Sequence, residues 1–216
     1  MRPPYPSGDD FPFDGPQPEP WHRPAPREAL RRLGMGLFLA SLSSLFIASL
    51  VGYLMTRYQG GNRPPAGFLN LPSGLWASTG VLLGAGCMIH LAHRAARAGR
   101  LEALRWRLGA TLVLSLLFLG VQVPSLMVLM ERHREMVVAQ IGLYGLGFAL
   151  IVLHALHVVG GLVPLAWTTI DAFRRVPAYL QSAQGVLTVR VRFLAVYWHF
   201  LEIVWLVMFG VFLLSR

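Results

Sequence analysis

The stretch FLAVYWHFLEIVWLVMFGVFLL, residues 193–214, decides how the rest of the chain is read. It runs for 22 residues with one acid, Glu202, and one histidine, His199. A helix of that length rises about 33 Å, enough to cross a hydrocarbon core about 30 Å thick. Working back towards the N-terminus, residues 33–55, 75–92, 108–130 and 139–167 form four more apolar runs of spanning length. The second is the shortest. The fourth is the longest and is expected to tilt or to reach beyond the bilayer. The fold class is therefore all-α: a polytopic bundle of five transmembrane helices.

Composition agrees. Hydrophobic residues make up 55% of the 216 residues and charged ones only 13%, against about 25% charged in soluble domains. Mean hydropathy is +0.53. These values exclude a water-soluble globular fold and a nucleic-acid-binding module, despite the net charge of +9. Cys87 is the single cysteine and lies inside an apolar run, so neither a disulfide framework nor a cysteine-based metal cluster can form. Residues 1–33 are rich in proline and have no long apolar stretch. They read as a disordered or polyproline-like cytoplasmic tail, leaving 34–216 as the membrane domain.

All 19 basic residues are arginines, and their positions predict orientation. With the N-terminus inside, fourteen fall in the tail, around 94–107 and around 174–192; five fall on the other side. That bias gives N-in, C-out, and the basic face attracts anionic lipid headgroups.

Polar groups within the spans are few, and each is a candidate for function because ionisable residues at bilayer depth are costly. His154 and His157 share a face of the fourth span, and His199 and Glu202 share a face of the fifth. His90 and His93 close the second span; Gln122 lies in the third, just before Pro124. Three readings compete. Histidines of the second and fourth spans can ligate a haem. His154, His157, His199 and Glu202 can hold zinc or non-haem iron, or move protons. The third and preferred reading is a hydrogen-bonded joint locking helix four to helix five. Gly160, Gly161 and Pro164 read as close helix packing in preference to a broken transporter helix. The chain contains no Gly-rich phosphate loop, nucleophile elbow or HExxH motif.

At these residues the chain resembles a known family, subunit III of the haem–copper oxidases. HALHVVGGL, residues 154–162 with Gly160, resembles that family's HGxHVxxG pattern. YWHFLEIVWL, residues 197–206, resembles its C-terminal YWHFVDVVWL signature through Tyr197, Trp198, His199 and Trp205, with Glu202 in place of Asp. Weaker matches are GMGLFLASLSSLF in the first span, LAHRAARAG with His93 at the end of the second, and FLGVQ with Gln122 in the third. Two departures matter. Leu42 and Ser125 stand where members often carry glutamates, so no role of those acids carries over.

The resemblance implies a subunit with no cofactor of its own. Haem and copper are expected in partners: the haem-bearing catalytic subunit I and the copper-bearing subunit II of a respiratory terminal oxidase that reduces oxygen to water. It further implies phospholipid binding, indirect support of proton uptake, and residence in a bacterial cytoplasmic (inner) membrane. Five spans match the five-helix bacterial type. The alternatives are the related small subunit of some nitric oxide reductases and, in a different class, a standalone haem-binding membrane anchor. A transporter is disfavoured, since one acid near mid-membrane makes no polar path.

Overall fold

The computed structural model describes residues 27–59, 73–136, 141–174 and 181–214. Among them there is no strand. Five helices come in order: α1 (Arg27–Gln59), α2 (Ser73–Arg97), α3 (Leu101–Met136), α4 (Ile141–Arg174) and α5 (Gln181–Leu214). All five are long and apolar enough to cross a membrane. The chain divides into two compact units, residues 1–37 and 38–216. The described part of the first unit is the opening of α1, so residues 27–33 of the expected tail are helical; residues 1–26 lie outside the described residues.

The helices run past the expected apolar segments at one or both ends. At 36 residues, α3 is longer than α4, which has 34. It begins at Leu101, seven residues before the expected apolar run 108–130. The reason is Arg105 and Arg107, which end an uninterrupted apolar run in sequence but sit comfortably inside a helix. Their guanidinium groups bond backbone carbonyls of adjacent helices.

Within residues 38–216, α2 packs against α3 and α5, and α4 also packs against α3 and α5. The four helices thus form a closed ring in the order α2, α3, α4, α5. The tightest connection in it is the α2–α3 turn. Gly99 adopts φ +68°, while Arg100 N–H donates to Ala95 O at 3.0 Å and Gly99 N–H to Ala96 O at 3.2 Å. These two bonds and the left-handed glycine form a Schellman cap, which satisfies the last carbonyls of α2 and reverses the chain at once.

One end of the ring is tied all the way round. Arg107 donates to Leu91 O at 2.8 Å, joining α3 to α2. Arg105 donates to Ala172 O at 2.8 Å, joining α3 to α4. Arg190 pairs with Asp171 at 2.9 Å, joining α5 to α4, and Thr188 donates to Ala96 O at 3.4 Å, joining α5 to α2. Aromatic side chains hold α1: Phe38 against Tyr197, Phe46 against His154 and His157, Tyr53 against Phe212. Hydroxyls inside the spans bond carbonyls of their own helix, as Ser43 does to Leu39, Thr111 to Arg107 and Thr168 to Pro164. Such bonds remove the cost of a hydroxyl in hydrocarbon without a neighbouring helix.

The cap gives a direct expectation. Gly99→Val forces a branched side chain into the left-handed region at a cost of about 1–2 kcal/mol, and thermal unfolding of the protein should fall accordingly. Gly120→Ala, at a helical glycine with nothing within 4 Å of the added carbon, should leave the transition unchanged or raise it.

Candidate functional site

The polar groups of the spans do not gather at one point. His154, His157, His199 and Glu202, expected as one joint between α4 and α5, are divided between two seams. Glu202 faces α2. Its carboxylate accepts a hydrogen bond from His199 Nδ1 at 2.8 Å, three residues earlier on the same helix. The same carboxylate lies against Gly86 of α2, so closely that a Cβ there would overlap it. The His199 ring stands 5.9 Å from that of His90 on α2. The α2–α5 seam continues on the other side of Glu202 with Trp205, whose indole N–H donates to Thr79 Oγ1 at 3.0 Å. Antiparallel α2 and α5 therefore meet through paired depths: Thr188 with Ala96, His199 with His90, Glu202 with Gly86, Trp205 with Thr79. Glu202 is where only glycine leaves room for a carboxylate between the helices.

The α4–α5 seam is built from other groups. Tyr197 Oη donates to the carbonyl of His157 at 2.9 Å, and the His157 ring bonds Leu153 O of its own helix at 2.6 Å. A Cβ at Gly161 would come within 2.6 Å of the Tyr197 ring and 3.0 Å of Trp198. Gly161, not Gly160, is the point of close approach; Gly160 has nothing within 4 Å. Motif residues Tyr197 and Trp198 thus fill the notch that Gly161 opens.

His154 is buried, 1% exposed, in an aromatic cage of Phe46, Phe118 and Trp205. Neither of its ring nitrogens has a hydrogen-bond partner. Gln122, one helical turn beyond Phe118, is also buried, with its Oε1 unpartnered. His93 is half-buried towards the arginine-rich end of α2. Leu42 is half-buried one turn before Phe46, and the side chain of Ser125 lies outside the described residues.

Among the described residues, the histidines are spread over different depths and seams. His154 lies against Trp205, which bonds Thr79, whereas His90 is eleven residues further along α2 and on its open face, so these two rings are not at one depth. Among the described residues, no three His, Cys, Asp or Glu side chains stand together where they could hold a metal ion. Sequence reasoning passed over Gly86 and Thr79, and did not separate Gly161 from Gly160. The signal for the glycines was their position inside spanning helices, where small residues mark close packing. The partner of each could not be read from one helix alone.

Comparison with known proteins agrees with the motifs. The family model for cytochrome c oxidase subunit III matches residues 19–214, which takes in all five helices and the end of the Pro-rich segment. The cytochrome c oxidase subunit 3 of Thermostichus vulcanus is 29% identical over 191 residues, covering 86% of this chain and 88% of that protein.

The Gly86–Glu202 contact is testable as a pair. Gly86→Ala should destabilise the bundle, because the carboxylate has to move out of the seam, whereas Glu202→Gln should be mild. In a Glu202→Ala background, Gly86→Ala should lose most of its effect, giving a coupling of about 1 kcal/mol or more in a double-mutant cycle of thermal stability. Additive effects would separate the two positions.

Proposed function

Because this chain belongs to the cytochrome c oxidase subunit III family, we propose that it is the accessory, non-redox subunit of a respiratory haem–copper oxidase. The observation that carries the reading is the family match across residues 19–214, which spans every helix of the bundle. The site supports it. Several polar groups of the spans are engaged within the chain's own packing: Glu202 with His199 and Gly86, Tyr197 with His157, Trp205 with Thr79. They hold helices together.

On this reading the partners are the haem-bearing catalytic subunit and the copper-bearing subunit, and the redox cofactors belong to them. The bundle covers a flank of the catalytic subunit and holds phospholipid against it. Its open apolar side chains, such as Leu116 on α3 and Val163 on α4, suit acyl chains, and the arginine-rich end suits anionic headgroups. Support of proton uptake is then indirect, through lipid and through the fit of the flank. The membrane is the bacterial cytoplasmic membrane, with the Pro-rich tail, the 94–107 turn and the 172–192 connection inside.

Deletion tests the role. Membranes lacking this chain should keep a normal reduced-minus-oxidised haem spectrum and measurable initial oxygen consumption, and activity should then decay faster over repeated turnover. Loss of the haem signal with the catalytic subunit still at normal abundance would reject a non-redox role. Orientation is tested by thiol labelling: a cysteine introduced in 172–192 should react only after the membrane is opened. Labelling from outside intact cells would reverse the topology.

A further inference from the structure

The hydrogen bond between His199 and Glu202 joins no two helices, because both residues lie on α5. What fastens α2 to α5 is Trp205 on Thr79 and Thr188 on Ala96. That fastening does not need a carboxylate at 202, and enclosing one demands glycine at 86. An ionisable pair kept inside a span at such cost points to a use of its charge.

From Glu202 a row of titratable groups leads to the arginine-rich end. His199 Nδ1 is bonded to the carboxylate at 2.8 Å. The His90 ring stands 5.9 Å from the His199 ring, across the seam on α2. His93 follows three residues on, on the same face of α2. It lies within electrostatic reach of Arg97, His90 and Arg192. Arg94, one turn beyond His90, is exposed. Exposure falls in the other direction: His90 is exposed, the His199 side chain is 40% exposed, and that of Glu202 only 11%. The row is open at His90 and closed at Glu202.

Beyond Glu202 the row stops. An indole nitrogen only donates, and the Trp205 N–H is given to Thr79, whose hydroxyl donates in turn to Leu75 O. Ionisable groups on the surrounding helices are held elsewhere. Arg107 of α3 bonds Leu91 O, and His154 of α4 is enclosed by the rings of Phe46, Phe118 and Trp205. Arg57 lies at the other end of α1, past the contact of Tyr53 with Phe212.

We propose that the His199–Glu202 pair is a proton-binding site with one entrance, loaded and unloaded from the arginine-rich end through His93 and His90. On loading, a proton carried by His90 crosses a bridging water to Nε2 of His199. The Nδ1 proton of His199 passes to the Glu202 carboxylate. The pair ends as a neutral imidazole protonated at Nε2 and a neutral carboxylic acid, one proton richer than before. Unloading runs in reverse and restores the first tautomer without a ring flip. That suits a site that fills and empties, where a conducting path would need a further acceptor past Glu202. Loading also neutralises the carboxylate within the seam, the form that an apolar surrounding favours. The site consists of this chain's own residues, whichever complex the chain serves.

The test follows the Glu202 carboxyl by infrared difference spectroscopy after a pH step. It uses the full-length chain with its co-purified subunits in lipid nanodiscs, and the Glu202 band is the one missing from Glu202→Gln. In the wild type a protonated-carboxyl band should grow as the pH falls and vanish as it rises. His90→Ala should slow that change by about tenfold or more, with the final amplitude unchanged, and dissolved imidazole should restore the rate. A Glu202 carboxyl that ignores pH would overturn the proton site. A His90→Ala rate equal to wild type would overturn the entrance, as would slowing that imidazole does not repair. None of these outcomes bears on the oxidase reading, which the deletion experiment decides separately.

Discussion

A carboxylate near mid-bilayer has to be enclosed, and the way Glu202 is enclosed sets how the other helices meet. Hydrocarbon cannot solvate it, and a long side chain on α2 would exclude it. The chain places Gly86 opposite, and the carboxylate enters the seam with His199 as donor on its own helix. Once α2 and α5 are in register there, Trp205 reaches Thr79 towards one end and Thr188 reaches Ala96 towards the other. α2 is also fixed to α3 by the Schellman cap at Gly99. The notch at Gly161 fits α4 onto Tyr197 and Trp198. The ring closes through α5.

The arginines then act in two ways at once. In a membrane protein they set orientation through their number on each side, and here three of them also fasten the ring at its arginine-rich end. Arg107 bonds α2, while Arg105 and Arg190 bond α4 from either side. Guanidinium groups suit this use because they donate in several directions and remain charged. α1 meets the ring through Phe38, Phe46 and Tyr53. Its open side carries Leu45, Ile47, Val51 and Met55, a surface matched to lipid or to a hydrophobic flank.

The fold was largely legible because its signal is local. Twenty consecutive apolar residues mean a spanning helix whatever they later touch, and Gly99 between two such runs means a turn. The site was legible only as a set of residues. His199 and Glu202 sit three apart, so their bond can be read from one helix. That Glu202 faces α2 depends on how α5 is rotated, which periodicity over an almost uniformly apolar helix does not report. A soluble helix declares its buried face by contrast with its polar one; α5 carries apolar side chains all round, and both faces read alike. The same lack of contrast hid Gly86 and Gly161, whose importance lies in the side chain opposite.

His154 is a polar motif residue that keeps its place without a polar partner. The family often has an acid at the position occupied here by Leu42, one turn before Phe46 on α1. In this chain Phe46 lies edge-on to His154, with Phe118 and Trp205 completing an apolar enclosure. A buried imidazole without hydrogen bonds costs about 1–3 kcal/mol relative to one that is satisfied. Its ring contacts with three aromatic groups offset part of that through packing. The imidazole therefore acts here by its shape, as a flat ring among flat rings. Away from the arginine-rich end, hydrogen bonds join helices through Tyr197 on one seam and through Trp205 and Thr79 on the other, where Glu202 and His199 bond each other. Helix association in this chain depends on backbone close approach at glycines and on single well-placed donors, as expected where the surrounding solvent is as apolar as the side chains themselves.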